Sequence, residues 1–410
     1  MTLKYGSVSI GELLEEGVIH AIQDGNHGEK HPKTSDYVED GIPFIMANSL
    51  NLGFVDLGSA SKISEEQASS LRIGFAMTGD VLLTHKGTIG NTAIVPQVDP
   101  YIMLTPQVTY YRLDQSKLSN AYLLYCFRDL TFQKTIKSLA QQSTRPYIGI
   151  TAQRNLKINF RDINEQIKIV NAIKPYDDLI ENNRRRIQLL EESARLLYQE
   201  WFVHLRFPGH EQVKITDGVP EGWEKKNLTA IAEVNQSSLK KGFDERIEYI
   251  DISCVTTHSI SDTTWYEFAD APGRARRMVK HCDILWSCVR PNRRSHVLVW
   301  EPHDQLIAST GFAVISATQV SPFFLYQSLT TNEYVGYLTN RAGGAAYPAV
   351  TSKVFEESFI LVPSSKLVTQ YHDQVQDTYA QINVLRSHSH KLAQARDLLL
   401  PKLMSGELAV

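Results

Sequence analysis

Arginine is crowded into one part of this sequence. Arg274, Arg276, Arg277, Lys280, Arg290, Arg293 and Arg294 stand close together with one acid, Asp283, among them. Val289-Arg290-Pro291-Asn292-Arg293-Arg294 follows an apolar run, so these side chains are expected to project from a loop after a strand. A guanidinium fork suits phosphate oxygens and the acceptor pair on a guanine edge, so the expected chemistry is nucleic-acid contact. Arg274, Arg276, Arg277, Arg290, Asn292, Arg293 and Arg294 are the candidates here. A looser set lies earlier: Arg128, Lys134, Lys137, Arg145, Arg154 and Lys157. It includes the loop Gln141-Gln142-Ser143-Thr144-Arg145-Pro146-Tyr147, whose amides and hydroxyls can read base edges. Gln142, Ser143, Arg145 and Tyr147 are its candidates, joined by Lys86 and Thr88 from another loop and by Tyr347 from the later half. For any one arginine a solvated surface site is the simpler account. The argument rests on the groups.

Catalytic patterns are missing. There is no Walker phosphate loop, no GxGxxG after a strand and no nucleophile elbow. Gly87-Thr88-Ile89-Gly90 is too short for a phosphate loop and lacks the following Lys-Ser/Thr. No Asn-Pro-Pro-aromatic signature of adenine methylation occurs, and no Asp…Glu-x-Lys nuclease arrangement. The four cysteines, Cys126, Cys254, Cys282 and Cys288, form no CxxC pair, and the histidines complete no zinc pattern. His27, in the polar loop Asp24-Gly25-Asn26-His27-Gly28, reads as solvated, with metal ligation as the alternative. The chain is therefore read as non-catalytic and metal-free. At 410 residues, 42% hydrophobic and 21% charged, it can build two or three domains. A net charge of -3 argues against a simple wrapper of nucleic acid, so any such contact must be local. With no apolar run of membrane length and no signal pattern, a cytoplasmic protein with reduced thiols is expected.

Two long helices must carry these loops. From Asn164 to Phe202, Ile173, Ile180, Ile187, Ala194 and Trp201 fall on one position of a seven-residue repeat. Ile169, Tyr176, Leu190 and Leu197 fall on the other, with Asn183 as a polar entry. Such a seam predicts a helix that packs on another helix. A short helix, a kink near Pro175 and a main helix from about Tyr176 to His204 are expected. At 1.5 Å per residue the main rod is roughly 42 Å long. Glu181–Arg185 and Glu191–Arg195 are expected to pair on its outer face. Trp201 reads as core, while Tyr198 and Phe202 are either covered by the flanking domain or open to a partner. The stretch from Leu367 to Met404 has a similar seam, with Val375, Ile382 and Leu403 on one position and Leu385, Leu392 and Leu399 on the other. Ser389 and Arg396 interrupt it.

The second helix suggests a duplication. Gly79-Asp80-Val81-Leu82-Leu83 answers Cys282-Asp283-Ile284-Leu285-Trp286, and Pro43-Phe44-Ile45 answers Glu248-Tyr249-Ile250. Tyr147-Ile148-Gly149-Ile150-Thr151 answers Tyr347-Pro348-Ala349-Val350-Thr351. The alternative is two unrelated domains with chance matches. The expected fold is mixed α+β. Two similar globular domains, residues 1–160 and 222–364, are separated by two long antiparallel helices, 161–206 and 365–410, packed as a coiled coil with pseudo-twofold symmetry. Residues 207–221 read as a linker. Short strands are expected throughout both domains, with helices at Asn120 to Leu139 and Pro322 to Leu338.

Taken in order, these features resemble the specificity subunit of type I restriction–modification systems. The matching stretches are Asp24-Gly25-Asn26-His27-Gly28, Gly41-Ile42-Pro43-Phe44-Ile45, Gly79 to Leu83 with Gly87 to Gly90, Asn164-Glu165-Gln166 and Leu197-Tyr198-Gln199-Glu200-Trp201-Phe202. Pro220-Glu221-Gly222-Trp223, Val289-Arg290-Pro291-Asn292 and Leu399 to Leu408 complete them. The second copy departs at Cys282, where the family has glycine. The resemblance implies that each globular unit is a target-recognition domain reading one half of a bipartite double-stranded DNA sequence. The helices, paired through Ile180, Ile187, Leu190, Leu197 and Trp201 against Ile382, Leu385, Leu392 and Leu399, would set the spacer. Two methyltransferase subunits would dock and bring S-adenosylmethionine, and restriction subunits would bring ATP and Mg, leaving no cofactor in this chain. The competing readings are a fused restriction–modification enzyme and a helical protein-interaction scaffold that reads no DNA.

Overall fold

The computed structural model describes residues 5–28, 30–51, 53–141, 146–240, 242–344 and 346–409. The chain forms two compact units. The first contains residues 1–183 and 387–410, the second residues 184–386. Each long helix thus contributes one half to each unit.

In the first unit the central antiparallel sheet has the order β1 (Ile19–Asp24), β4 (Val108–Leu113), β2 (Val81–Lys86), β3 (Thr88–Ile94). Gly53–Val55 and Leu50–Asn51 extend it beyond β3. Strand β2 is buried on both faces as far as His85, which is why it reads as a continuous apolar run rather than an alternating one. A second sheet is built around a parallel pair, Ile42–Ile45 with Ile102–Leu104. Helices α1 (Asn120–Arg128) and α2 (Leu130–Ala140) cover the first sheet. The single helix expected over this stretch is divided because Asp129 turns out of helical geometry and caps α2, accepting from the Thr131 and Phe132 amides. A short helix α3 (Ile150–Arg154) and the strand Lys157–Phe160 lead into α4 (Ile163–Tyr198).

The second unit repeats the plan. Its sheet has the order β5 (Ala232–Val234), β8 (Phe312–Ala317), β6 (Ile284–Ser287), β7 (His296–Leu298). Its second sheet again centres on a parallel pair, Arg246–Ile250 with Leu306–Ser309. Helices α5 (Pro322–Thr330) and α6 (Asn332–Arg341) are divided at Thr331, which caps the Tyr334 amide as Asp129 caps α2. Helix α7 (Ser352–Glu356) and Phe359–Val362 precede α8 (Ser365–Ser405). The duplication extends to backbone detail. Gly79 has φ 85° and Cys282 has φ 65° at matching turns, where glycine is free to go and cysteine is not. The next residue closes the turn in both, Asp80 accepting from the Met77 amide and Asp283 from the Lys280 amide. One match is in the wrong register. The Ile148 amide donates to the His85 carbonyl and the Val350 amide to that of Cys288, so Ile148 answers Val350, not Pro348.

Helix α4 has 36 residues and begins at Ile163 rather than Tyr176, running on through Pro175. Proline removes one helical bond and crowds the preceding turn, but Pro175 is exposed, while Ile169, Ile173 and Ile180 bury the opposite side. A π-helical turn, Gln199–Val203, follows. Tyr198 and Phe202 are core residues of the second unit, packed on Phe324 and Tyr371, so the domain covers them. Trp201 is half-buried against the same core. Residues 207–221 hold a small hairpin, Ile215–Thr216 with Val219–Pro220.

Within each unit the two helix segments run antiparallel. In the second, the Tyr371 hydroxyl donates to the Ala194 carbonyl and Arg386 pairs with Glu191 at 2.6 Å. Glu191 was expected to pair with Arg195 on an outer face. It faces the other helix instead, and Arg195 pairs with Glu192. Glu181 is buried too. Among the seam positions Ile180, Ile382 and Leu385 are buried; Ile187, Leu190, Leu197, Leu392 and Leu399 are half-buried. Two helices alone leave a seam open on its flanks, and of the three buried positions Ile382 also joins the core of the second unit. In the first unit Arg396, which interrupts the apolar pattern, is 5% exposed. It reaches Asp177 at 2.7 Å, and Arg128 reaches the same carboxylate at 2.8 Å, with the Tyr125 hydroxyl donating at 3.0 Å. Removing one arginine leaves that buried carboxylate undercompensated. Arg396→Met is therefore expected to lower the unfolding free energy by about 3 kcal/mol, measured by urea denaturation. A loss under about 1 kcal/mol would mean the pair does not hold the helices in register.

Candidate nucleic-acid interface

Equivalent edges stand out in both units. In the first, the β2–β3 hairpin turns at Gly87, with Lys86 opposite Thr88. Its far side meets the segment Pro146–Ile148: the Gly87 amide donates to the Pro146 carbonyl at 3.1 Å, and Lys86 bridges to Tyr147. Lys86 and Thr88 are exposed, and Tyr147 is 47% exposed. In the second, the loop between β6 and β7 meets Pro348: the Arg290 amide donates to its carbonyl at 2.7 Å, and Val289 bridges to Ala349. Arg290 lies 4.5 Å over the Tyr347 ring, and Tyr347 is 70% exposed. Each edge therefore presents a cation and a tyrosine to solvent, a pairing that suits phosphate and base together.

The structure sorts the arginines. Thr310 and Gly311 join two stretches at this edge, the Thr310 amide donating to the Arg274 carbonyl and the Cys288 amide to that of Gly311. Arg274, Asn292 and Arg293 are exposed there. Arg277 is half-buried and donates to the Ser238 hydroxyl at 3.2 Å. Two do not join them. Arg276 stacks on Phe268 at 4.6 Å, and Arg294 turns to the Asn332 side chain at 2.6 Å. Gln142, Ser143 and Arg145 lie outside the described residues. The loop at Gly25 sits so close to another chain segment that a Cβ there would lie 2.0 Å from the Thr105 carbonyl oxygen, so only glycine fits. His27 meets the Gly25 carbonyl, and no group of three potential metal ligands occurs among the described residues.

Some polar centres carry no sequence motif and were missed. One lies beneath the first edge, where Asp24, His85, Thr109, Tyr111 and Gln153 meet. Its one visible trace is the polar pair Thr84-His85 inside an apolar strand. Another lies in the second unit, where His258 Nδ1 is 2.6 Å and His296 Nδ1 is 3.1 Å from the Tyr326 hydroxyl. One hydroxyl proton cannot serve two acceptors, so one of these rings must carry its proton on Nδ1. Arg386 adds a bond to the His258 carbonyl at 2.6 Å. Burial, then Arg386, lowers His258 to about 4. Burial, then His258 and Arg294, lowers His296 to about 3. Burial also raises the Glu191 carboxyl, against the pull of Arg386.

Comparison with known proteins bears on this geometry. A family model described as "Type I restriction modification DNA specificity domain" matches residues 15–192. The specificity subunit of type I restriction enzyme MjaIX from Methanocaldococcus jannaschii is 23% identical over 99% of this chain and 97% of its own length. By these matches the chain is similar to the specificity subunits of type I restriction–modification systems. The HindI specificity subunit of Haemophilus influenzae is 22% identical over 70% of this chain and 76% of its own. In fold, the S subunit of a type I restriction–modification system from M. genitalium aligns with a TM-score of 0.53 at 16% identity, over 98% of this chain and 96% of that one. No helix among the described residues is long and apolar enough to cross a membrane.

The histidine pair yields a prediction of its own. In the unfolded chain each ring would titrate near 6.5, well above its folded value. On acidification the unfolded state binds these protons first. Their stabilising effect is present above pH 6.5 and is lost as pH falls towards 4, at up to about 1.4 kcal/mol per pH unit for each ring. Urea unfolding at pH 6.5 and pH 5 should show a steeper loss for the wild type than for H258N/H296N. Equal slopes would contradict this.

Proposed function

We propose that this chain is the non-catalytic DNA-reading subunit of a type I restriction–modification complex, with each unit reading one half of a bipartite double-stranded target. The observation that carries the proposal is the edge that recurs in both units, a cation-bearing loop tied to a proline-containing segment beside an exposed tyrosine. The match of residues 15–192 to a model of a type I restriction–modification DNA specificity domain supports it. On this reading the helices of 36 and 41 residues set the spacer between the half-sequences. S-adenosylmethionine belongs to the methyltransferase partners, ATP and Mg to restriction subunits, and the complex works in the cytoplasm.

Methyltransferase docking has a candidate surface. Leu189 and Leu196 are seven residues apart on α4 and are 71% and 46% exposed. Leu398, also 71% exposed, lies as far along α8 as Leu196 lies along α4. Exposed leucines at matching places suit two copies of one partner. An apolar pair at seven-residue spacing suits a helix of that partner.

Two tests follow. In the assembled complex, Arg293→Ala should weaken binding to target duplex by about tenfold or more and relax preference in one half-sequence only. Methylation footprinting on randomised DNA reads both effects. Sequence-independent binding by the wild-type complex would end the DNA reading in favour of a scaffold. Separately, Leu196→Asp should abolish or sharply reduce co-purification of the methyltransferase while leaving the urea midpoint within experimental error. Full retention of the partner would remove this face of α4 from the interface.

A further inference from the structure

Each edge carries a cation and a tyrosine, though the register sets Lys86 against Val289 and Tyr147 against Ala349, and the two edges differ further underneath. In the first unit Gln153, with no exposed surface, sits at the fourth position of α3. Its amide nitrogen lies 2.9 Å from the Ile148 carbonyl, 3.0 Å from the Thr109 hydroxyl and 3.1 Å from His85 Nδ1. Its oxygen accepts from the Tyr111 hydroxyl at 2.6 Å. Thr109 in turn donates to Asp24 at 2.6 Å. The other ring nitrogen of His85 meets the Pro106 carbonyl at 3.0 Å, and the ring stands edge-on to that of Tyr147 with centroids 5.5 Å apart. Thr109, His85 and Tyr111 are all buried.

The second unit has the same backbone and none of this chemistry. Register places Cys288 where His85 stands, since each carbonyl accepts the amide of the opposing loop. Ala313 and Ile315 occupy the places of Thr109 and Tyr111 along the strand beside β6. Phe355 is the fourth residue of α7, as Gln153 is of α3, and has no exposed surface. Apolar packing is non-directional and tolerates small shifts of the segment above it. A buried network of directed bonds does not, and leaving any member unpaired costs free energy. A polar network beneath one edge only therefore fixes that edge more narrowly than apolar contact requires.

We propose that Gln153 is a positioning residue for DNA reading by the first unit. It holds Pro146–Ile148, and with them Tyr147 beside Lys86, in the one placement that matches the first half-sequence. This rests on the DNA-reading function proposed above. Gln153 touches no DNA on this account. It acts through Ile148 and through His85 beneath Tyr147.

The test uses the full chain assembled with its methyltransferase, and methylation of duplexes randomised in both half-sequences. The half read by the first unit is the one whose preference changes in Lys86→Ala. Gln153→Met keeps the volume and removes the bonds. It should relax preference in that half by about tenfold, the loss of one well-placed base contact, and leave the other half unchanged. Tyr111→Phe, which frees only the Gln153 oxygen, should act in the same direction more weakly, and it decides the matter if Gln153→Met does not fold. Phe355→Leu in the second unit serves as the control for general destabilisation and should leave the first half-sequence untouched. Equal relaxation of both halves in Gln153→Met, or unchanged preference in a folded variant, overturns the proposal while leaving DNA reading intact. A wild-type complex with no sequence preference overturns both.

Discussion

A long helix with an apolar seam cannot stay alone in water, and this chain has two. Each covers the other only where their halves meet, one pairing in each unit. The contact is not apolar throughout. Asp177 is buried between Arg396 and Arg128 in the first unit, and Glu191 faces Arg386 in the second. A buried ion pair adds little net stability, but a misplaced one is costly, so these pairs penalise a slipped register more than leucines would. The elements that carry the exposed loops are packed on these helix halves.

The duplication makes the asymmetries legible. Counted from the start of each helix, Asp177 corresponds to Tyr379 and Arg396 to Ala194. One unit thus places an ion pair where the other places a buried tyrosine and an alanine. The same exchange of polar for apolar chemistry occurs beneath the recurring edges, where His85, Thr109, Tyr111 and Gln153 face Cys288, Ala313, Ile315 and Phe355 as counterparts. Backbone geometry is retained through all of this, including the positive φ at Gly79 and Cys282. The two copies share a plan of hydrogen bonds, while the side chains that fill it differ.

On the proposed reading, function is a matter of surface on a repeated frame. The net charge of -3 offers no general attraction for nucleic acid, so a few cations at the edges would act locally. Arg290 shows how. It adopts a left-handed backbone with φ 51°, which turns its side chain over Tyr347 instead of along the strand. Arg276 and Arg294 look equivalent in sequence, yet neighbours at Phe268 and Asn332 hold them.

Much was legible in the residues alone. The seams predicted two helices that pack on helices, because a seven-residue period has few other uses. Apolar runs between turn residues pointed to short strands throughout both domains, and the structure has them, Val108–Leu113 and Phe359–Val362 among them. Short motifs in a fixed order pointed to the family. What sequence could not decide was which polar groups would be buried. Arg396 read as an interruption because its partner, Asp177, lies 219 residues away. Glu191 read as an outer-face residue because local spacing offered Arg195, and only the packing of the second helix offered Arg386. Gln153, His85 and Thr109 come from separate elements, so no spacing could reveal them. Periodicity reports which face of an element is dry. Which charge or amide meets another on that face is a long-range fact, and only the folded chain supplies it.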